Sequence, residues 1–403
     1  MTATKLLKYI LLALFVLVPL QAQKKPLKLY NALNAQYATQ LDGTQSWIKT
    51  TPSNMDLNGS EMITATDDRT FETTVGNWVG AGTVSACVRS TVDPYSAIAS
   101  MRATSSGAGD TTSNYIKLDY PNFSTTEIGK KYTLELFARS ATAARTITLV
   151  MGDATVTSGT LTTTYKARTK VVLNFLATAN TISKGIYILT SGAIDSLYIN
   201  NVSLTQAYDG VMIAEMQTSS SASSEVSIFV LGNSTLSPMQ ISIRQLATTN
   251  YFRVLASDGI TTQNGNSGNF ILNDGVRHRL VVLFYRTSLG WKMFADGKYL
   301  GSNSPFSLLG KLFFESITIG ATASSSINFT GKIGNIQFLR STALPDDYLS
   351  TGIELSNIKI NFSFSHNNMI PTAWYNWMTP IDKSGNGNHL TGIENPPFGI
   401  KIK

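Results

Sequence analysis

The stretch Lys131-Tyr132-Thr133-Leu134-Glu135-Leu136-Phe137-Ala138-Arg139 decides the fold. Tyr132, Leu134, Leu136 and Ala138 occupy alternate positions, and Thr133, Glu135, Phe137 and Arg139 fill the positions between. A period of two sends successive side chains to opposite faces of a pleated strand, so one face suits a core and the other suits solvent or a ligand. The alternation returns in Val171, Leu173 and Phe175, in Met239, Ile241 and Ile243 against Gln240, Ser242 and Arg244, and in Leu280, Val282 and Phe284. Helical periodicity is almost absent after residue 25. Gly, Asn, Asp and Ser cluster at 105–110, 219–224, 261–269 and 321–326, which read as the loops between strands. Short strands at such spacing favour sandwiches over βαβ units. The sequence therefore predicts an all-β fold of two jelly-roll β-sandwich domains behind an N-terminal signal segment, with one reading in which one domain is inserted in the other.

Composition supports this. Only 14% of the 403 residues are charged and 43% are hydrophobic, against about 25% charged in an average soluble domain. Such a chain buries a core rather than remaining disordered, and Ser, Thr, Asn and Gly must meet the water. The single Cys excludes an internal disulfide framework and a Cys-based zinc site, and its place at 87 excludes a lipoprotein anchor. The formal charge is +7, but Lys5, Lys8, Lys24, Lys25, Lys28, Lys401 and Lys403 all lie near the ends. The body is close to neutral, so no nucleic-acid partner is expected.

Residues 1–22 read as a signal peptide. Lys5 and Lys8 form a positive start, 10–18 is an apolar run, Pro19 breaks it and Ala22 offers a small residue for cleavage. The run is shorter than the roughly 20 residues that span a bilayer, so the mature chain is expected to carry no transmembrane helix and to be secreted or held at the cell surface. The alternative is an uncleaved apolar arm used in assembly, with a virion as the location.

Two blocks meet near 206–210. Residues 67–207 resemble a family 4/9-like carbohydrate-binding module, through Thr70-Phe71-Glu72 followed by Trp78, through the 131–139 strand, and through Leu197-Tyr198-Ile199-Asn200-Asn201-Val202-Ser203-Leu204. The resemblance implies a jelly roll that accompanies glycan-active proteins, often with a structural calcium held by acids near the opening and closing strands. Asn200 and Asn201 stand where an Asp is usual. Residues 208–345 resemble a laminin-G-like, concanavalin A-type sandwich. The match runs through Gly275-Val276-Arg277-His278-Arg279-Leu280-Val281-Val282, Gly290-Trp291-Lys292-Met293-Phe294-Ala295-Asp296-Gly297-Lys298, Ile317-Thr318-Ile319-Gly320, Phe329-Thr330-Gly331-Lys332-Ile333, Ile336-Gln337-Phe338 and Ala343-Leu344-Pro345. Arg277 replaces the usual Trp, and Gly334 replaces a common Asp.

The flanks divide less simply. Residues 23–66 contain strands that resemble the start of the second sandwich, and one reading joins 30–63 to 209–345 with the other block inserted. In the C-terminal extension, 346–403, the run Ile381-Asp382-Lys383-Ser384-Gly385-Asn386-Gly387-Asn388-His389-Leu390 resembles a motif that usually opens such domains. Its strand can add to its own sandwich or to another protein chain. The other reading is an arm ordered by Trp374, Tyr375 and Trp377.

No catalytic set is visible, and no enzyme is expected. A retaining glycosidase needs two carboxylates about 5 Å apart, whereas Glu135 and Glu215 stand alone and Asp67-Asp68 and Asp346-Asp347 fall in apparent loops. His278, His366 and His389 lack metal spacing. His278 begins a strand and reads as structural, Cys87 as a small buried residue, and Trp78 as core.

Binding is better served. A sugar ring takes an aromatic face on its apolar side and amides, carboxylates or Arg on its hydroxyls. Phe137, Glu135 and Arg139 share an outer strand face that offers such a set; the alternative is a Phe covered by an edge loop. Tyr115, Lys117 and Asp119 share another strand face and are expected to extend the same surface. Asp258, Asn264 and Asn266 lie in or beside a polar loop, where oxygens of this kind can hold a rim calcium; no cofactor is required. These features predict a non-catalytic exported protein that binds a carbohydrate or glycoconjugate, or an adhesin. The alternatives are a phage virion or tail-fibre component, receptor-binding or structural, and more weakly an accessory or inactive glycoside hydrolase.

Overall fold

The computed structural model describes residues 37–42, 46–50, 58–94, 98–178, 185–232, 239–258, 262–286, 290–303, 314, 316–321, 328–341, 370–375, 391–393 and 400–401. The described residues begin with β1 (Tyr37–Asp42) and β2 (Ser46–Thr50). It then builds β3 (Asn58–Glu61), the one-turn helix α1 (Asp67–Thr70), β4 (Trp78–Gly80), β5 (Val88–Ser90), β6 (Ser100–Ser105), β7 (Ile116–Leu118) and β8 (Lys131–Ser140). β9 (Ile147–Met151), β10 (Ala154–Thr157), β11 (Thr169–Leu176), β12 (Ile186–Thr190) and β13 (Ile194–Ala207) complete that block. There follow β14 (Asp209–Gln217), β15 (Val226–Gly232), β16 (Met239–Gln245), β17 (Tyr251–Asp258), β18 (Thr262–Ile271), β19 (Arg277–Tyr285) and β20 (Gly290–Ala295). β21 (Lys298–Asn303), β22 (Ser316–Ile319), β23 (Thr330–Ser341), β24 (Ile370–Tyr375), β25 (Thr391–Ile393) and β26 (Ile400–Lys401) end the series. The fold is all-β, and among the described residues there is one short helix and no helix long and apolar enough to cross a membrane.

The strands form two sandwiches. One has a five-stranded sheet in the order β10-β9-β12-β7-β4 and a six-stranded sheet β11-β8-β13-β6-β5, with β3 added to β13. The other has an eight-stranded sheet β21-β20-β19-β14-β23-β1-β26, with β24 also on β23, and a seven-stranded sheet β18-β17-β16-β15-β22-β2-β25. The first two strands thus belong to the second sandwich: Thr39 lies opposite Ile333, and Trp47 opposite Ile319. The β3–β13 sandwich is inserted between β2 and β14. Within 23–66, β1 and β2 pair with strands of the outer sandwich while β3 pairs with β13 of the inserted one. The C-terminal strands pair within their own chain, with Tyr37 opposite Lys401, Trp47 opposite Gly392 and Gln337 opposite Trp374. The 376–390 stretch, which holds the 381–390 motif and Trp377, lies outside the described residues, as do His366, Asp346, Asp347 and the signal segment.

Each sandwich has its own core. Tyr132, Leu134, Leu136 and Ala138 pack with Trp78, Phe71, Leu173 and Ile188 in the inserted one, where the Trp78 indole also donates to the Asp68 carbonyl at 2.8 Å. Met212, Leu280, Val282, Phe284, Trp291 and Phe338 pack in the outer one. Burying a side chain of this size stabilises by roughly 1.5–3 kcal/mol, which is why the period-two pattern dictates the register. The β20–β21 hairpin turns on Asp296-Gly297, both at positive φ (51° and 88°), as a two-residue turn matched to strand twist requires.

Two sequence expectations fail locally. The 261–269 region is not a loop, since 262–271 is the edge strand β18, with Asn264 opposite Leu255 and Asn266 opposite Arg253. Asp67 and Asp68 lie in α1 rather than in a loop. Asp68 is buried, and its carboxylate accepts from the backbone and side-chain nitrogens of Asn77 at 2.5 and 3.0 Å.

Candidate functional site

Glu135, Phe137 and Arg139 do share the face of β8 that points away from the core, but that face is closed. β8 lies between β11 and β13, and the loops 91–94 and 162–168 fold over one end of it. Arg139 Nε bonds the Asp93 carboxylate and its Nη1 donates to the Thr163 carbonyl at 2.9 Å. Its guanidinium lies 5.0 Å from the Tyr198 ring centroid. Arg168 reaches the same Asp93 carboxylate at 3.3 Å, the Asp93 carbonyl at 2.6 Å and the Asn200 amide oxygen at 3.2 Å. Asp93 and both guanidinium-bearing side chains are buried. Glu135 is buried as well, with Lys170 Nζ at 3.3 Å, and that ammonium is 5.8 Å from the Phe137 ring. The groove expected on β8 is therefore corrected to a buried ionic cluster: Glu135 and Arg139 are spent on protein partners, and only Phe137 keeps partial exposure.

The second set sits elsewhere. Tyr115, Lys117 and Asp119 belong to β7 and its flanks, in the five-stranded sheet, so they do not extend the β8 face but lie on the other side of the sandwich. There they assemble with Tyr187 of β12, which is the cross-strand neighbour of Lys117. The Tyr115 and Tyr187 rings meet edge-on, with centroids 5.4 Å apart at 88°. Lys117 Nζ lies 5.9 Å and 5.1 Å from the two centroids and 2.5 Å from Asp119. The hydrogen bond to Asp119 raises the Lys117 ammonium above its usual range. The Asp119 side chain is 55% exposed, both tyrosines are half-buried, and Val79, opposite Lys117 on β4, is 48% exposed. Gly185 makes room for this arrangement, since a Cβ there would come within 2.7 Å of Lys117 Cε. The result is an open shelf with two aromatic rings, an ammonium donor and a carboxylate acceptor. Tyr187 is not among the residues expected from sequence, although Ile186 and Ile188 bracket it with the same inward alternation and so mark it as outward-facing.

The calcium expectation finds a strand where it needed a loop. Asn264 and Asn266 are exposed on β18, and Asp258 is the last backbone residue of β17, its side chain outside the described set. Among the described residues no three His, Cys, Asp or Glu side chains gather as a metal would require. Near the opening of the inserted sandwich, Glu61 accepts from the backbone nitrogens of Met62, Ile63 and Leu204 and from Ser203 Oγ. Near its close, the Asn200 amide bonds Ala99 and Ser100.

Burial and protein partners set the state of three further titratable groups among the described residues. Glu215 is buried, and burial pushes its carboxyl up despite the Arg277 guanidinium beside it. Burial pushes the Cys87 thiol up to about 12. His278 is buried at the start of β19, with Nδ1 2.7 Å from Asp296, Nε2 2.9 Å from Asp274 and the Phe270 ring edge-on at 4.9 Å. Burial alone would lower the imidazole, but the two carboxylates outweigh it and the net shift is upward. Hydrogen bonds to charged groups are worth roughly 1.5–3 kcal/mol, reduced to about 1 kcal/mol here by solvent screening, since the two aspartates are 44% and 41% exposed. A raised folded-state value means that this stability is complete below the unfolded value of about 6.5 and is lost as pH rises through the folded one. The melting temperature should therefore fall by a few degrees from mildly acidic to mildly alkaline pH. In His278→Gln, melting scans at successive pH values should show that slope flattened.

No protein-family model matches the sequence, and no curated protein matches it. Among solved structures, the CBM40 of the Ruminococcus gnavus IT-sialidase bound to alpha2,3 sialyllactose aligns at 16% identity and a TM-score of 0.28, covering 35% of this chain and 80% of that one. Domains LG4-5 of the mouse laminin alpha1 chain align at 13% identity and a TM-score of 0.26, covering 62% and 92%. The heptameric SAP-like pentraxin of Limulus polyphemus aligns at 9% identity and a TM-score of 0.29, covering 61% and 93%. At these scores none of them assigns a family or a ligand to the chain.

Proposed function

We propose that the chain is an exported, non-catalytic glycan-binding protein and that the five-stranded sheet of the inserted sandwich carries its ligand. The observation that supports this reading is the Tyr115–Lys117–Tyr187–Asp119 shelf. A pyranose presents an apolar face and a belt of hydroxyls together, and here half-exposed rings stand beside a donor and an acceptor already held 2.5 Å apart. Export rests on the 1–22 segment.

A glycan array with the full chain tests this, with Tyr187→Ala and Phe137→Ala alongside. Binding should fall at least about tenfold in Tyr187→Ala, as expected for losing a stacked aromatic worth roughly 1.5 kcal/mol, and should persist in Phe137→Ala. An array silent for the wild-type chain, or a loss confined to Phe137→Ala, would refute the placement on the shelf.

A further inference from the structure

We propose that the outward face of β16–β18, in the outer sandwich, is a second ligand site that takes the carboxylate of an acidic sugar. Phe252, Val254, Ile241 and Ile243 turn into the core, which leaves Tyr251, Arg253, Gln240, Ser242 and Arg244 on the other side of these strands. Register then sets three polar side chains in one row, since Arg253 lies opposite Arg244 on β16 and opposite Asn266 on the edge strand β18. The turns at this end, 218–225, 246–250 and 267–276, all belong to the described residues.

Glu225, just before β15, holds the row in place. Its two oxygens accept from Arg244 Nη1 at 2.9 Å and from Arg253 Nη1 at 2.8 Å. Arg244 is then fully engaged, because its Nε donates to Ser242 Oγ at 2.7 Å and its Nη2 to the Gln240 amide oxygen at 3.0 Å. Arg253 keeps two donors in reserve: Nη2 makes no hydrogen bond among the described residues, and Nε is buried with no partner. These two nitrogens form one edge of the planar guanidinium, the edge that meets a carboxylate through two parallel bonds. The Arg253 side chain is 20% exposed. A buried donor without an acceptor costs free energy, and an incoming ligand oxygen supplies the acceptor.

The charge of the row selects its ligand. Two guanidiniums against one carboxylate leave a positive charge in excess. The only other charged residue of β16–β18 is Asp258, five positions along β17 from Arg253 and so roughly 17 Å away. That balance disfavours the calcium expected at Asn264 and Asn266 and favours an anion. The Asn266 side chain is exposed and makes no hydrogen bond among the described residues, so its amide offers both a donor and an acceptor to hydroxyls. Tyr251, half-buried two positions before Arg253, adds a ring for an apolar face. An acid group, hydroxyls and an apolar ring face occur together on a uronic acid. The site lies in the other sandwich from the shelf and does not depend on it.

Saturation-transfer NMR titrations of the full chain with methyl glucuronide, methyl glucoside and acetate test the proposal. The glucuronide should bind at least about tenfold more tightly than the glucoside, in which a hydroxymethyl group replaces the acid, and than acetate, which has no ring. Arg253→Gln should weaken glucuronide binding at least about tenfold. Arg253→Lys, which keeps the charge and loses the planar edge, should weaken it about fivefold. Asn266→Ala, an exposed change outside the ion pairs, should weaken it about threefold, and it carries the test if Arg253→Gln does not fold, as urea midpoints will show. No binding of the glucuronide, equal affinity for it and either comparison compound, or full affinity in Arg253→Lys and Asn266→Ala alike would overturn the proposal. So would a loss seen in Tyr187→Ala and absent from Arg253→Gln, which would place the acid on the shelf.

Discussion

Asp93→Ala should lower the unfolding free energy by about 3–5 kcal/mol, measured from the urea midpoint, because it leaves two buried guanidinium groups without their carboxylate. Arg139 and Arg168 both reach Asp93, and their remaining bonds to the carbonyls of Thr163, Ala167 and Asp93 and to Asn200 do not neutralise them. The size of the effect comes from what is stranded rather than from the intrinsic worth of an ion pair. Replacing all three by apolar residues of similar volume should therefore cost much less than the single change, the pattern expected when desolvation nearly cancels attraction. If Asp93→Ala and the triple variant unfold at the same urea concentration, the cluster is not what holds this end together.

Asp209→Ala is the second large effect. Asp209 is fully buried at the seam where β13 of the inserted sandwich passes into β14 of the outer one. It bonds Lys131 Nζ of β8 at 2.5 Å and the backbone N–H of Arg286 at 2.8 Å. Arg286 in turn donates to Thr133 Oγ1 across the seam at 3.0 Å. Removing Asp209 leaves a buried ammonium and should destabilise by about 3 kcal/mol or more. It should also uncouple the sandwiches, so that a single calorimetric transition broadens or splits. A sharp, merely shifted transition would mean that the two are joined by more than this clasp.

The sequence made the inward faces plain and the outward faces only partly so. Tyr132, Leu134 and Leu136 alternate because a core demands it, and no other assignment of those residues buries them. The fate of Glu135 and Arg139 depended on residues distant in the chain, Asp93 and Lys170 among them, which no local pattern reveals. Tyr115, Lys117 and Asp119 alternate along one short stretch, but strand order decides which sheet owns their face, and order is set by long-range pairing. The 262–271 strand was hidden because its Gly and Asn have little strand preference, and it is held by its ladder to β17. The Asp296-Gly297 turn was legible for the opposite reason, since its requirement is local.

The position of β1 and β2 matters for how the protein is made. A chain that emerges N-terminus first presents residues 37–50 before their partners at 316–333 exist, whereas the inserted sandwich is whole once residue 207 has appeared. Folding during synthesis or export should therefore proceed from the middle outward, with the inserted unit ordered first. The earliest strands would remain open to holding factors, or to mispairing with a neighbouring nascent chain, until the last residues arrive.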